Sequence, residues 1–467
     1  MGSTIRVNAG ERTAALFATP RPLTPWQRRI VWISVLVGAV IRFLYVMILH
    51  RATDHVYSDM QDYLLRALRY FGTERQQIDD TIHPPGTAIF LAILHRLDVT
   101  WNVEMLVQWL LSLGVMALVW LIARRLYGTT TAAVALAIAS LYFPFVHYAG
   151  LYLAENPFAF FSLLALWLFV LAIDARNARH TALHAVLAGV ATGLAISFKN
   201  SLFAPLLLLG VIYVAYAIKY RRPNLAVVIV SAVVGLCILA VPMTVRCTRL
   251  NEGRVCPTAT NFASNVLMGH YGEKGAFRWH DRRRGFEFTY ESPSTVERGY
   301  TEAVDLDFGV YDAEANLALA RDWIRDHPAR ALRLSFMHVY DLFGGPTLWP
   351  RAELWNIDFG VISQWTFWLL VLPAAFARTA VRAPSMLRLD ADSLPEWILF
   401  APLLGLMGTV FLTLGEVRYR VPFDGLFIIL AARAYVSVGR SVSRHLSAAR
   451  NISASTHAAH LSSRSSS

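Results

Sequence analysis

IVWISVLVGAVIRFLYVMIL, Ile30 to Leu49, carries one charge, Arg42, in its whole length. Such a run meets the ~20 apolar residues a helix needs to cross the hydrocarbon core of a bilayer. Nine more follow: Val103–Ala123, Thr131–Val146, Pro157–Ile173, Ala182–Ser197, Leu202–Ile218, Leu225–Val245, Val361–Phe376, Trp397–Leu414 and Pro422–Val438. With 55% of 467 residues hydrophobic, the chain reads as an all-α polytopic membrane protein of about ten transmembrane helices.

The net charge of +11 is scattered in short clusters between these runs rather than along one soluble face, which excludes a nucleic-acid partner from the reading. Arg21, Arg28 and Arg29 precede the first run, and Arg440 and Arg444 follow the last. Arg124 with Arg125, Arg176 with Arg179, Lys219 with Arg221 and Arg222, and Arg378 with Arg382 and Arg388 fall in alternate connections. Ten spans with both termini in the cytoplasm place every cluster on the inner side. The chain is expected in the cell inner (plasma) membrane, with the first span as an uncleaved signal-anchor.

This divides the chain into a cytoplasmic tail (1–29), an N-terminal transmembrane catalytic module (30–245) with a first outside loop (50–101), a long outside loop (246–360), the C-terminal spans (361–439) and a second tail (440–467). The Ser-rich end from Ala448 reads as mobile. In the long loop, EANLALARDWIRDHPARALRLSFMHVYDLF has helical spacing interrupted at Pro328 and is expected to fold back onto the membrane surface. Cys247 and Cys256 open that loop, where spacing and an oxidising compartment permit a disulfide. No internal repeat of the kind that builds many transporters is visible.

Right after the first span comes HVYSDMQDYLLRALRYF, His55 to Phe71. At 100° per residue Asp59, Asp62, Arg66 and Arg69 share one helical face, and Met60, Leu64, Ala67, Leu68 and Phe71 the other, so an amphipathic helix lying on the outer leaflet is expected. Asp62 and Arg66 have the spacing of a helix ion pair. Asp59 is either a helix-start residue behind a Ser58 cap or a functional carboxylate. The following IHPPGTAIFLAILHRL is too short to span and predicts a second juxtamembrane helix, with His83 in its turn or facing a polar site.

Other charges recur at the same depth. Arg42 lies in the outer part of the first span, Glu155 starts the fourth, Lys199 sits between the fifth and sixth, and Glu416, Arg418 and Arg420 lie between the last two. Each alone fits a snorkelling or capping residue. Together they can line one outer cavity, where cations hold a phosphate and a carboxylate takes a proton from an attacking hydroxyl. Transfer of a sugar from a lipid phosphate needs both.

The order of several elements resembles the membrane-integral GT-C glycosyltransferases of the protein O-mannosyltransferase and aminoarabinose-transferase type, glycosyltransferase family 39. These are SDMQDY, HPPGTAIFLAIL, ARRLYG, LAENP, SFKN, NFASNVLMGHYGEKG, DHPARAL and GEVRYRVPFDGLFIILAA. The resemblance implies a GT-C-like bundle with juxtamembrane helices in the first outside loop and one long outside loop. It also implies a polyprenyl-phosphate sugar donor, inverting single-displacement transfer of a hexosyl or pentosyl group outside the cytoplasm, and Asp59 as catalytic residue. The acidic motif is SDMQD rather than the adjacent Asp-Glu pair of the mannosyltransferases, so protein O-mannosylation is not implied.

From charge and depth, Lys199, Arg418, Arg420 and Arg42 are the expected donor-phosphate ligands, with Asp62, Tyr63, His83, Glu155, Glu416 and Tyr419 in support. The acceptor is a lipid, glycan or protein. Fixed cations can neutralise the departing phosphate, so no metal and no cofactor are expected; Asp305 and Asp307, the outside D-x-D, read as a solvated pair. The competing reading is a transporter or flippase of lipid-linked sugar, whose charges should occur at several depths. A lipid-binding scaffold without activity is the third.

Overall fold

The computed structural model describes residues 17, 21–72, 75–97, 101–222, 224–272, 274–291, 299–344, 350–351, 353–354 and 357–464. Most of the N-terminal tail expected over 1–29, and the last three residues of the C-terminal one, lie outside them. Among the described residues nine helices are long and apolar enough to cross a membrane: Pro25–Leu49, Asn102–Tyr127, Glu155–Asp174, Ala178–Phe198, Asn200–Lys219, Leu225–Leu250, Phe359–Leu387, Ala391–Leu412 and Val417–Ser447. The run expected as a straight third span is instead a pair, Thr129–Leu141 and Phe143–Gly150, bent by 59°. Tyr142 between them is extended, and Pro144 has no N–H to continue the ladder. Counted as one span, the pair completes ten.

Small residues bring spans into contact. Glycines at 189 and 235 let the fifth span and the Leu225–Leu250 helix approach so closely that a Cβ at Gly189 would collide with the Ala232 carbonyl, and one at Gly235 with the Val186 carbonyl. Without a hydrophobic drive between helices in lipid, such close backbone packing is what holds them together.

Charges cluster at the two ends of the bundle. At one end lie Arg125 paired with Asp174, Arg378 with Glu396, and Arg382 with Asp392 at 2.9 Å. The other end carries the two loops. The helix Asp59–Phe71 and the short helix Gly86–Arg96 form there as expected. The first does not rest its whole apolar face on lipid: Met60, Tyr63 and Ala67 are buried in the bundle core together with Leu91 and Ala92, while Leu65 and Leu68 are largely exposed; the Phe71 side chain, also expected on that face, lies outside the described residues. Packing against the second juxtamembrane helix outcompetes the leaflet for these side chains.

The long loop starts with the Cys247–Cys256 disulfide and a helix, Asn261–His270. The Thr260 and Asn261 amides donate to the Thr81 and Ile82 carbonyls, tying this loop to the first. A sheet follows that the helical reading of the loop did not include: β1 (Ala276–Asp281), β2 (Phe286–Glu291) antiparallel to it and β3 (Ala303–Leu306) parallel to it. Trp279 of β1 is fully buried, and its indole N–H donates to Asn316 at 3.1 Å. The predicted break at Pro328 separates helices Ala313–Asp326 and Pro328–Gly344, and Phe336 of the latter packs edge-on against Phe411 of the ninth span. The final helix runs on to Arg464, so the segment expected to be a mobile tail is helical that far; no glycine or proline after Gly439 interrupts it.

Gly189→Leu and Gly235→Leu should each destabilise the bundle by about 1–3 kcal/mol through overpacking. Gly210→Leu, facing open space, should not. Thermal unfolding in detergent should show both Tm drops against an unchanged control.

Candidate active site

At the looped end a cavity of about 740 Å³ opens between the Asp59–Phe71 helix and the His83 turn of the first loop, the roof of the long loop, and the sixth and ninth spans. Its polar end is lined by Asp59, Tyr63, His83, Glu155, Lys199, Arg418 and Tyr419, drawn from five separate stretches of the chain. Its other arm is lined by Phe203, Leu207, Val211, Gly405, Leu406, Gly408 and Leu412. Leu207, Val211 and Leu412 are more than half exposed, so this arm is open sideways, on the lipid-facing side of the two spans.

Asp59, Glu155, Lys199 and Arg418 each stand at the end of a helix. Asp59 is the first residue of its helix, presented by Ser58, whose φ of 51° lies in the left-handed region that a non-glycine residue adopts only at a cost. Ser58 makes no capping bond, so the expected cap is a strained turn instead. Lys199 closes the fifth span, Glu155 opens the fourth, and Arg418 lies in the first turn of the last, where Glu416 is the flanking residue.

Ion pairs knit these ends together. Arg418 Nη1 lies 2.8 Å from Asp59 Oδ2, and its Nε lies 2.7 Å from Glu416 Oε2. Lys199 Nζ donates to Glu155 Oε1 at 2.7 Å. The ring of Tyr419 lies under both cations, 4.9 Å from Lys199 Nζ and 5.2 Å from the Arg418 guanidinium. Asp62 pairs with Arg66 at 2.9 Å, as its spacing predicts, and stands 3.6 Å from His83 Nε2. His83 in turn tilts against the Tyr63 ring at 5.5 Å.

Burial alone would raise the Asp59 carboxyl; Arg418, with His83 and Lys199, more than offsets it and holds Asp59 below the ordinary carboxylate value. Glu416 goes the other way, raised by burial against the opposing pull of Arg418. Burial lowers Lys199, with Glu155 opposing, and lowers His83, with Asp62 and Asp59 opposing.

Two of the four cations expected to meet a phosphate are elsewhere. Arg42 is fully buried and gives its N–H groups to Ser112 and to the carbonyls of Gly38, Ala139 and Ser140 at 2.8–3.2 Å. It pins the first span to the bent third one. Arg420 is fully buried against Asp424 at 2.9 Å, bonds Gln364 and lies 3.5 Å above the Phe367 ring. Neither lines the cavity. Residues 418 and 420 sit about 200° apart on a helix, so only one of them can face it.

Among the cavity residues that the sequence did not mark, one touches the ion pairs from above. Tyr290 of β2 donates its hydroxyl to Glu416 Oε1 at 2.9 Å, reaching the ion pairs from the roof. The alternation Phe286, Phe288, Tyr290 in FEFTYE is a strand signal that marks this face. Among the described residues no group of three or more His, Cys, Asp or Glu side chains is arranged to hold a metal ion.

The backbone superposes on the archaeal oligosaccharyltransferase AglB from Archaeoglobus fulgidus, solved with an inhibitory peptide and a dolichol-phosphate, over 91% of this chain with a TM-score of 0.52 at 14% identity. The fold is GT-C. This chain spans about half of that protein, 52% of its length. ArnT from Cupriavidus metallidurans, bound to undecaprenyl phosphate, aligns over 88% of this chain and 78% of its own at 16% identity and a TM-score of 0.40. Residues 82–245 match the family model described as dolichyl-phosphate-mannose-protein mannosyltransferase. No curated protein matches the chain in sequence. His83, Glu155 and Lys199 lie inside the matched segment; Asp59, Glu416 and Arg418 lie outside it, and the GT-C fold carries them to it.

Replacing Arg420 should leave Asp424 buried without its cation, held only by the Tyr142 hydroxyl at 2.5 Å. Arg420→Met is expected to cost about 3 kcal/mol, and adding Asp424→Leu to restore most of it. A double-mutant cycle on Tm in detergent measures the coupling.

Proposed function

We propose that this protein is a glycosyltransferase that moves a sugar from a polyprenyl-phosphate donor to an acceptor hydroxyl on the outer face of the cell membrane, with both termini cytoplasmic. The observation that carries the reading is a single cavity whose apolar arm opens toward lipid and whose polar end holds Lys199 and Arg418 beside Asp59. The dolichol-phosphate bound by the fold neighbour supports a lipid phosphate as ligand.

The prenyl chain lies along the sixth and ninth spans, and the phosphate meets Lys199 and Arg418. Asp59 takes the proton of the acceptor hydroxyl as its oxygen attacks the anomeric carbon. The bond from that carbon to the phosphate oxygen breaks, its electron pair leaves with the phosphate, and the cations take up the charge. Attack from the face opposite the phosphate inverts the anomeric centre. Glu155 orients Lys199, and Glu416 orients Arg418. The transport reading is disfavoured because the charges that line the cavity are confined to one end of the bundle.

Purified protein in nanodiscs should release polyprenyl phosphate and form a product of inverted anomeric configuration, read by NMR. Asp59→Asn should lower turnover by about 10²–10⁴-fold in protein that still folds; normal turnover would overturn the role of Asp59. Lipid-sugar that crosses vesicle membranes with no covalent product would favour the transporter.

The active form carries ionised Asp59, so activity is present above its pKa and lost as pH falls through it. Because that pKa is depressed, the acid limb of kcat/KM should lie below the ordinary carboxylate value. A limb above it, abolished by Glu416→Gln, would instead assign the titration to the raised Glu416.

A further inference from the structure

We propose that Arg418 is a shared counter-ion: a lipid phosphate entering the cavity draws Arg418 away from Asp59 and thereby turns Asp59 into a competent base. The inference rests on the donor reading above and concerns how binding and catalysis are coupled.

As it stands, the Asp59 carboxylate is poorly placed to accept a proton. One oxygen accepts from Arg418 at 2.8 Å, and the fixed positive charge lowers its basicity. The same guanidinium is the cation that an incoming phosphate reaches, because Arg418 lines the cavity. Two anions therefore compete for one arginine.

Geometry decides which contact gives way. Arg418 turns different nitrogens to its two carboxylates, Nη1 in a hydrogen bond to Asp59 and Nε in a charge contact with Glu416, so one contact can break without the other. Asp59 is the more open partner, its side chain 19% exposed against 5% for Glu416, and it lines the cavity whereas Glu416 does not. Glu416 is also held from the roof by the Tyr290 hydroxyl. The Glu416 contact keeps Arg418 in place while the Asp59 contact is exchanged for phosphate. The strained Ser58 turn lies directly behind Asp59, where a small movement of the carboxylate is needed.

Loss of the Arg418 contact and arrival of a phosphate both raise the proton affinity of Asp59. The other groups facing it are Lys199, His83, Glu416, Tyr63, Tyr290 and Tyr419. The phosphate also takes up Lys199, so the compensation that Asp59 receives from both cations falls together.

The test is binding, with no chemistry. Nanodisc-embedded protein is titrated with a polyprenyl monophosphate. Asp59→Asn, which removes the competitor, should bind about 5–10-fold tighter than wild type, and Arg418→Met at least about 10-fold weaker. Unchanged or weaker binding by a folded Asp59→Asn protein overturns the competition while leaving the donor site intact. Should that variant fail to fold, wild type alone decides with a polyprenyl sulfate, whose charge is constant over the range. Ligand binding that raises the Asp59 pKa must strengthen as pH falls from neutral into the carboxylate range, whereas a flat profile overturns the proposal. Wild type that binds neither lipid overturns the donor reading and this inference with it.

Discussion

The ion pair between Asp59 and Arg418 joins residues 359 positions apart and ties the first outside loop to the start of the last span. Around it the chain must solve one problem, which is how to keep unlike charges together at the end of an apolar bundle. An ionised group there costs several kcal/mol unless it is paired or hydrogen-bonded. The structure meets this with alternation: Glu155 with Lys199, Asp59 with Arg418, Arg418 with Glu416, and Tyr290 on Glu416. Apart from Glu416 and Arg418, which share the start of the tenth span, the members come from different elements, so satisfying the charges ties together the first loop, the fourth, fifth and tenth spans, and the roof.

Two uses of arginine are separated by what else the guanidinium can touch. Arg42 and Arg420 spend their donors on carbonyls, Ser112, Gln364 and Asp424, with no exposed side-chain surface left. Their exchange for a ligand would leave several buried acceptors unpaired. Arg418 keeps one edge on a cavity and pairs there with a partly exposed carboxylate. A planar fork with separable donors suits it to holding one anion fast while trading another.

The spans were legible because each is a long apolar run in one dimension, and the periodicity of Asp59–Phe71 was legible for the same reason. The bend after Leu141 was marked by Pro144, but a proline near the end of an apolar run does not say whether the helix kinks or stops. Charge and depth alone gave Arg42 and Arg420 the same standing as Lys199 and Arg418. Which way a buried guanidinium points depends on neighbours such as Ser140 and Asp424, which approach it only in three dimensions. Asp62 and Arg66 were recognisable as a pair because both lie on one helix. Tyr290 was not recognisable as a site residue because its partner, Glu416, is 126 positions away.

The roof has a physical purpose that follows from the cavity's two solvents. An arm open to lipid suits an apolar chain, but the polar end would be flooded if nothing covered it, and water would both screen the ion pairs and compete with an acceptor hydroxyl. The Asn261–His270 helix, tied to Thr81 and Ile82, and β2, reaching down through Tyr290, cover that end. Trp279, buried and bonded to Asn316, stiffens the sheet from which Tyr290 hangs. A rigid cover with one hydroxyl on the ion-pair chain can sense where Glu416 lies, and through Arg418 where Asp59 lies. On the function proposed above, acceptor selectivity would reside in the same loop that keeps the charges dry, because an acceptor approaching Asp59 from the looped end meets that cover.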